Sequence, residues 1–152
     1  MIEEGRKAPA FKLNDQDGNP VRLSDFKGRH VVLYFYPKAD TPGCTTQACG
    51  VRDHEQAYDA ADTVVLGVSP DPPERLAKFA DKHALGFTLL SDPDHKVAEA
   101  YGVWVEKSMY GRKYMGIERS TFVIDPEGKL KQEFRKVKVD GHADEVLEAV
   151  KA

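Results

Sequence analysis

The chain has 152 residues, 22 Lys and Arg against 25 Asp and Glu, and a formal net charge of −3. That length fits one domain with one sizeable core, taken as residues 1–152, and the charge excludes a field that would recruit nucleic acid or an anionic membrane. The opening Met1 to Lys7 lacks the basic start and apolar stretch of a signal peptide, and nowhere do about 18 apolar residues run together, so the expected location is the cytoplasm.

In chain order, Phe11–Asn14 and Val21–Leu23 flank the turn signal Asp17-Gly18 and predict an N-terminal β-hairpin. His30–Tyr36 is almost continuously apolar, as a buried central strand is, and Pro37 ends it. A loop, Lys38–Gly43, leads to a helix over Cys44–Ala60. Val64–Val68 is a second buried strand, and Pro72-Pro73-Glu74 opens a helix reaching His83. A short strand at Phe87–Leu90 and a short helix at Asp94–Tyr101 follow. Glu106–Gly116 has no helical period and reads as a loop, in part extended, near the mouth of the site. Ser120–Asp125 is a third clear strand, turned by Pro126-Glu127-Gly128 into an exposed strand over Lys129–Val137, and Ala143–Val150 is the last helix. This order predicts an α/β, thioredoxin-like fold, a central mixed sheet flanked by helices, with ligands at the carboxyl edge of its strands.

Both cysteines of the chain, Cys44 and Cys49, fall at that edge. A reducing compartment disfavours a permanent disulfide, which leaves catalytic, metal-binding or inert roles. Cys44 stands where a helix begins, and free N–H groups there favour a thiolate over a thiol. Pro37 and Pro42 fix the backbone around the loop, and Gly43 leaves room for a small oxidant beside the sulfur. Five helical residues put the two Cα atoms ~8.6 Å apart. A disulfide needs less than about 7 Å, so joining them requires the helix to unwind, which suits a cycle of two conformations rather than a staple. Cys44, Cys49 and His54 recur at a spacing of five but point about 140° apart on a helix, which argues against a zinc site. His30, His83, His95 and His142 read as surface or strand-end residues, and His54 as an ordinary helix-surface residue. Arg119, before the third clear strand, is on its own just a charge whose strand end could lie beside Cys44 in a parallel sheet.

The segment Tyr34-Phe35-Tyr36-Pro37-Lys38-Ala39-Asp40-Thr41-Pro42-Gly43-Cys44-Thr45-Thr46-Gln47-Ala48-Cys49 strongly resembles the peroxiredoxin active site, with Pro37, Thr41 and Cys44 on the pattern Pro-x-x-x-Thr/Ser-x-x-Cys. The particular resemblance is to the bacterioferritin comigratory protein subfamily, and the likeness extends through Gly102-Val103-Trp104, Glu106-Lys107-Ser108 and Arg119–Asp125. The resemblance implies a thiol peroxidase in which Cys44 attacks a hydroperoxide while Thr41, backbone N–H groups and Arg119 hold its oxygens. It also implies that Cys49 then forms a disulfide with Cys44, that thioredoxin or a similar dithiol resets it, and that no cofactor or metal takes part. With no cysteine near the C-terminus, a monomer resolving within one chain is expected. The alternatives are a thioredoxin-like protein-disulfide reductase and a redox-sensing module. Against the first, four residues rather than two stand between the cysteines, and Ser120-Thr121 stands where thioredoxins carry a cis-proline.

Overall fold

The computed structural model describes residues 3–152. Its elements are β1 (Lys12–Asp15), β2 (Pro20–Arg22), a 3-10 turn (Leu23–Phe26), β3 (His30–Phe35), α1 (Pro42–Asp53), α2 (Glu55–Ala60), β4 (Thr63–Ser69) and α3 (Pro73–His83). There follow β5 (Thr88–Ser91), α4 (Lys96–Ala100), β6 (Trp104–Met109), β7 (Arg112–Ile117), β8 (Ser120–Ile124), β9 (Leu130–Phe134) and α5 (His142–Lys151). Seven strands form one mixed sheet in the order β2-β1-β5-β4-β3-β8-β9. The three central strands β3, β4 and β5 run parallel, and β1, β8 and β9 run antiparallel to their neighbours.

The apolar run of β3 is continuous because both of its faces are covered. Val32 and Tyr34 point to the side packed by Ala48 and Val51 of α1, Leu76 and Phe79 of α3, and Val146 and Ala149 of α5. Val31, Leu33 and Phe35 point to the other side, where Ala98, Tyr101, Val103 and Phe122 close over them. Phe35, Tyr101 and Phe122 meet edge to face or tilted, with centroids 5.2 to 5.8 Å apart, and each such ring contributes roughly 1.5–3 kcal/mol by leaving water.

Several local expectations are corrected. The single helix expected over Cys44–Ala60 begins two residues earlier and breaks at His54, where the chain turns between α1 and α2. Glu106–Gly116, expected as a loop extended only in part, is a regular ribbon: β6 and β7 form an antiparallel hairpin that, among the described residues, pairs only with itself, its apolar side chains Met109, Tyr110, Tyr114 and Met115 exposed and its turn made by Tyr110 and Gly111 at positive φ. The loop reading missed it because the alternation of a half-covered ribbon is hidden by exposed aromatic and methionine residues. The strand expected over Lys129–Val137 shortens to β9, with Leu130 buried and the rest half-buried rather than solvated. His142, expected at the surface, is buried and sits between Thr121, 2.8 Å from Nε2, and Glu145, 2.9 Å from Nδ1. His95 stacks flat on Trp104 with centroids 3.9 Å apart.

β8 lies beside β3 but antiparallel, with Ser120 opposite Phe35. The parallel arrangement expected for Arg119 is therefore wrong, and the antiparallel one is what works. Only in that direction does the amino end of β8 meet the carboxyl end of β3, where the loop to α1 departs.

Candidate active site

Tyr36 still pairs with β4 through its N–H to the Val68 carbonyl at 3.0 Å. Pro37 has no N–H to continue the ladder, and the chain leaves the sheet. The loop is held from below by the buried carboxylate of Asp71, which accepts the Ala39 N–H at 2.7 Å and the Ser69 hydroxyl at 2.8 Å. From outside it is tied to α3 through Asp40, whose carboxylate meets Lys82 at 2.9 Å and His83 at 3.3 Å. Those hydrogen bonds, Lys82 first, hold the Asp40 carboxyl below its ordinary range.

Thr41, in extended backbone, is the N-cap of α1, and Pro42 takes the first helical position, where a missing N–H is harmless. The N–H groups of Gly43 and Cys44 have no intrahelical acceptor, so positive charge density collects beside the sulfur. Cys44 is 2% exposed. Arg119 reaches across from the start of β8: its Nη2 donates to Cys44 Sγ at 3.2 Å, and its Nη1 donates to Gln47 Oε1 at 2.6 Å. A Cβ at Gly43 would stand 3.3 Å from that Nη2. Gly43 therefore makes room for the guanidinium, which takes the space the sequence reading left open for an oxidant.

Cys49 lies further along the same unbroken helix, partly exposed, and both thiols are free. Helical geometry keeps their Cα atoms ~8.6 Å apart, beyond disulfide reach. The Thr41 hydroxyl is turned to the Lys38 carbonyl at 2.8 Å, so it braces the loop in this conformation. Two residues near the sulfur were given no role of their own in the sequence. Gln47 is three positions after Cys44 and so on the same helical face, a signal that was legible. Lys107, on β6, has its ammonium pushed down by burial and then by the Arg119 charge, with the Cys44 sulfur acting in the opposite sense. Its approach depends on the unforeseen hairpin. Beneath them the Tyr34 hydroxyl is buried without a partner among the described residues, and burial pushes its ionisation well above the ordinary phenol range. Burial likewise pushes the His142 imidazolium down.

A family model described as the AhpC/TSA family matches residues 5–133 of this chain. The chain belongs to that family. Within the AhpC/TSA family it is 54% identical to peroxiredoxin Bcp of Bacillus subtilis, over 99% of this chain and 96% of that one. It is 52% identical to peroxiredoxin Bcp of Escherichia coli, over the same shares. Among solved structures it is similar to Xanthomonas campestris peroxiredoxin Q, with a TM-score of 0.92 at 41% identity, covering 97% of this chain and 96% of that one. It is equally similar to the bacterioferritin comigratory protein of Xanthomonas campestris, studied for alkyl peroxide reduction, with a TM-score of 0.92 at 40% identity and 98% of each chain covered. The expected thioredoxin-like peroxiredoxin fold and the expected subfamily both hold.

Proposed function

We propose that the chain reduces hydroperoxides with Cys44, closes a disulfide between Cys44 and Cys49, and is reset by a thioredoxin-type dithiol. That it is a thiol peroxidase follows from its family and its Bcp relatives. The residue roles rest on one observation above the others: a guanidinium donating to Cys44 Sγ at 3.2 Å, in the first turn of a helix.

In the first step the Cys44 thiolate attacks the distal peroxide oxygen and the O–O bond breaks. The leaving oxygen takes a proton to become water or an alcohol, and the sulfur becomes a sulfenic acid. Arg119 and the N–H groups of Gly43 and Cys44 sit where charge develops along that bond and stabilise it. Thr41 is assigned to the peroxide through its hydroxyl, which must turn from Lys38, while Pro37 and Gly43 shape the pocket. Gln47 orients Arg119 through the 2.6 Å hydrogen bond. In the second step the Cys49 thiolate attacks Cys44 sulfur, the S–S bond forms, and hydroxide leaves to be protonated to water. A dithiol then reduces the disulfide and is itself oxidised. Organic hydroperoxides as well as hydrogen peroxide are assigned as substrates, supported by the alkyl peroxide reduction studied in the Xanthomonas campestris relative. A monomer working in the cytoplasm, without nucleic acid, membrane, metal or cofactor, completes the reading.

The test is steady-state turnover with hydrogen peroxide and an alkyl hydroperoxide, with and without thioredoxin and its reductase, for wild type and Cys49→Ser. Wild type is expected to consume both peroxides and to form one intramolecular disulfide per oxidising equivalent. Cys49→Ser is expected to keep its first turnover yet stall with thioredoxin, gaining two or three oxygen atoms of mass at Cys44 as peroxide rises. Full thioredoxin-linked turnover in Cys49→Ser would reassign resolution to a partner thiol. Reduction of insulin disulfides without peroxide loss would favour the disulfide-reductase reading, and oxidation-dependent partner binding without turnover the sensing module.

A further inference from the structure

The last carbonyls of a helix have no N–H from a following turn to accept. At the end of α1 the His54 N–H goes to the Val51 carbonyl at 3.1 Å, and the Gly50 carbonyl is met by the imidazole of His54, with Nδ1 at 2.8 Å. The other ring nitrogen, Nε2, lies 2.7 Å from Asp144 Oδ1 on α5. Both partners are acceptors. A neutral imidazole carries one N–H and satisfies one of them; only the imidazolium donates to both. The two helices are close at this point, since a Cβ on Gly50 would stand 3.9 Å from that of Ala143. On the other side, Arg52 Nη1 donates to the His83 carbonyl at the end of α3, at 2.8 Å. The carboxyl end of α1 is thus fastened to α3 and α5, and the fastening begins one residue after Cys49.

We propose that His54 is a positioning residue for the resolving step: by bridging Gly50 and Asp144 it holds the turn next to Cys49, and it releases that turn when the imidazolium loses its proton. The inference rests on Cys49 acting as the resolving thiol. For Cys44 and Cys49 to meet, the intervening helix has to open, and its far boundary is this clamp. A tight clamp keeps Cys49 helical and slows closure; a loosened one lets Cys49 move toward Cys44.

The charged and titratable groups around His54 are Asp53 on α1, itself paired with Arg52 at 3.1 Å, and Asp144 on α5; from α2, Tyr58 gives its hydroxyl to the Ala143 carbonyl at 2.8 Å. The Gly50 carbonyl first, then Asp144, raises the His54 imidazolium above its ordinary range, against a smaller effect of burial. Because the folded value lies above the unfolded one, the clamp is fully present below the ordinary imidazole range and is lost as pH rises through the folded value.

The experiment uses the full reduced chain, stoichiometric hydrogen peroxide, and quenched-flow measurement of Cys44–Cys49 disulfide formation in wild type, His54→Ala and Asp144→Asn. At a pH of about 5.5, His54→Ala should close the disulfide at least ~3-fold faster than wild type, and by a pH of about 8.5 the ratio should approach ~1. Comparison at equal pH cancels the ionisation of Cys49. Asp144→Asn should move that convergence to lower pH. A ratio that does not change with pH, or stays at one throughout, overturns the proposal. An independent readout, which needs no variant, is amide protection of Val51, Arg52 and Asp53 in the reduced wild type. It should fall as pH rises through the His54 titration, and equal protection on both sides overturns the clamp. A wild type that shows no Cys44–Cys49 disulfide by mass is a different failure: it removes Cys49 as the resolving thiol, and with it the step that His54 would position.

Discussion

At the amino end of α1, Cys44 is surrounded by donors: the N–H groups of the first turn and the Arg119 guanidinium at 3.2 Å. At the carboxyl end, where the fastening begins one residue after Cys49, the helix is bolted down by Arg52 on the His83 carbonyl and by His54 on Gly50 and Asp144. One end leaves its first backbone donors without intrahelical acceptors, open to the proposed peroxide, while the other has the Gly50 and Val51 carbonyls satisfied. A disulfide between positions five apart on a helix asks for such a division, since the turns between must open without the rest of the helix leaving the core.

The contrast is broken most directly at its reactive end. Cys44→Ser should lower peroxide reduction at least ~1,000-fold, because an alcohol supplies no comparable nucleophile at neutral pH. Stopped-flow oxidation kinetics check this, and turnover near the wild-type rate would empty the amino end of its assigned role. Arg119→Ala should lower the rate constant for the same step at least ~10-fold, about 1.4 kcal/mol of transition-state stabilisation. An unchanged constant would leave Arg119 as a structural brace of Gln47.

Hydrogen exchange sharpens the comparison between the ends. In the disulfide form, amides from Thr45 to Asp53 should exchange at least ~10-fold faster than in the dithiol form, with the increase greatest before Gly50. Equal protection in both redox states would contradict the distance argument. The smallest effect is expected from Gly43→Ala, whose new Cβ would lie 3.3 Å from Arg119 Nη2. The guanidinium must shift by a few tenths of an ångström, and the oxidation rate should drop ~3-fold. A crystal structure of that variant with Arg119 unmoved would show that the spacing is slack.

Much of this is legible in the sequence. The Pro37–Cys49 segment carries the proposed nucleophile, the N-cap residue Thr41, the helix-start proline and a second thiol within one short stretch, and local chemistry is what a short stretch records. The parallel βαβ core was legible for the same reason: β3 and β4 are apolar runs separated by helix formers. Gln47 was readable in principle from its spacing, and was passed over because an uncharged amide on a helix gives no sign of what it faces. The β6–β7 hairpin was missed because its outer residues, such as Tyr110 at 98% exposure, are apolar without being buried, which defeats a pattern that equates the two.

His54 shows the limit most clearly. In the sequence it is one histidine on a helix, at a spacing from the cysteines that leads nowhere as a metal site. Its partner Asp144 is ninety residues away, on a helix whose docking depends on Val146 and Ala149 entering the core beside α1. The direction of β8 belongs to the same class of fact, for it decides whether Arg119 meets Cys44 or lies at the opposite edge of the sheet. By itself the sequence determined which groups the chain owns, where its helices and central strands start, and that Cys44 heads a helix, because caps, prolines and apolar periods act within a few residues. The tertiary structure alone decided which distant side chains converge on the two ends of α1, because strand direction and helix packing are settled by burial of the whole core.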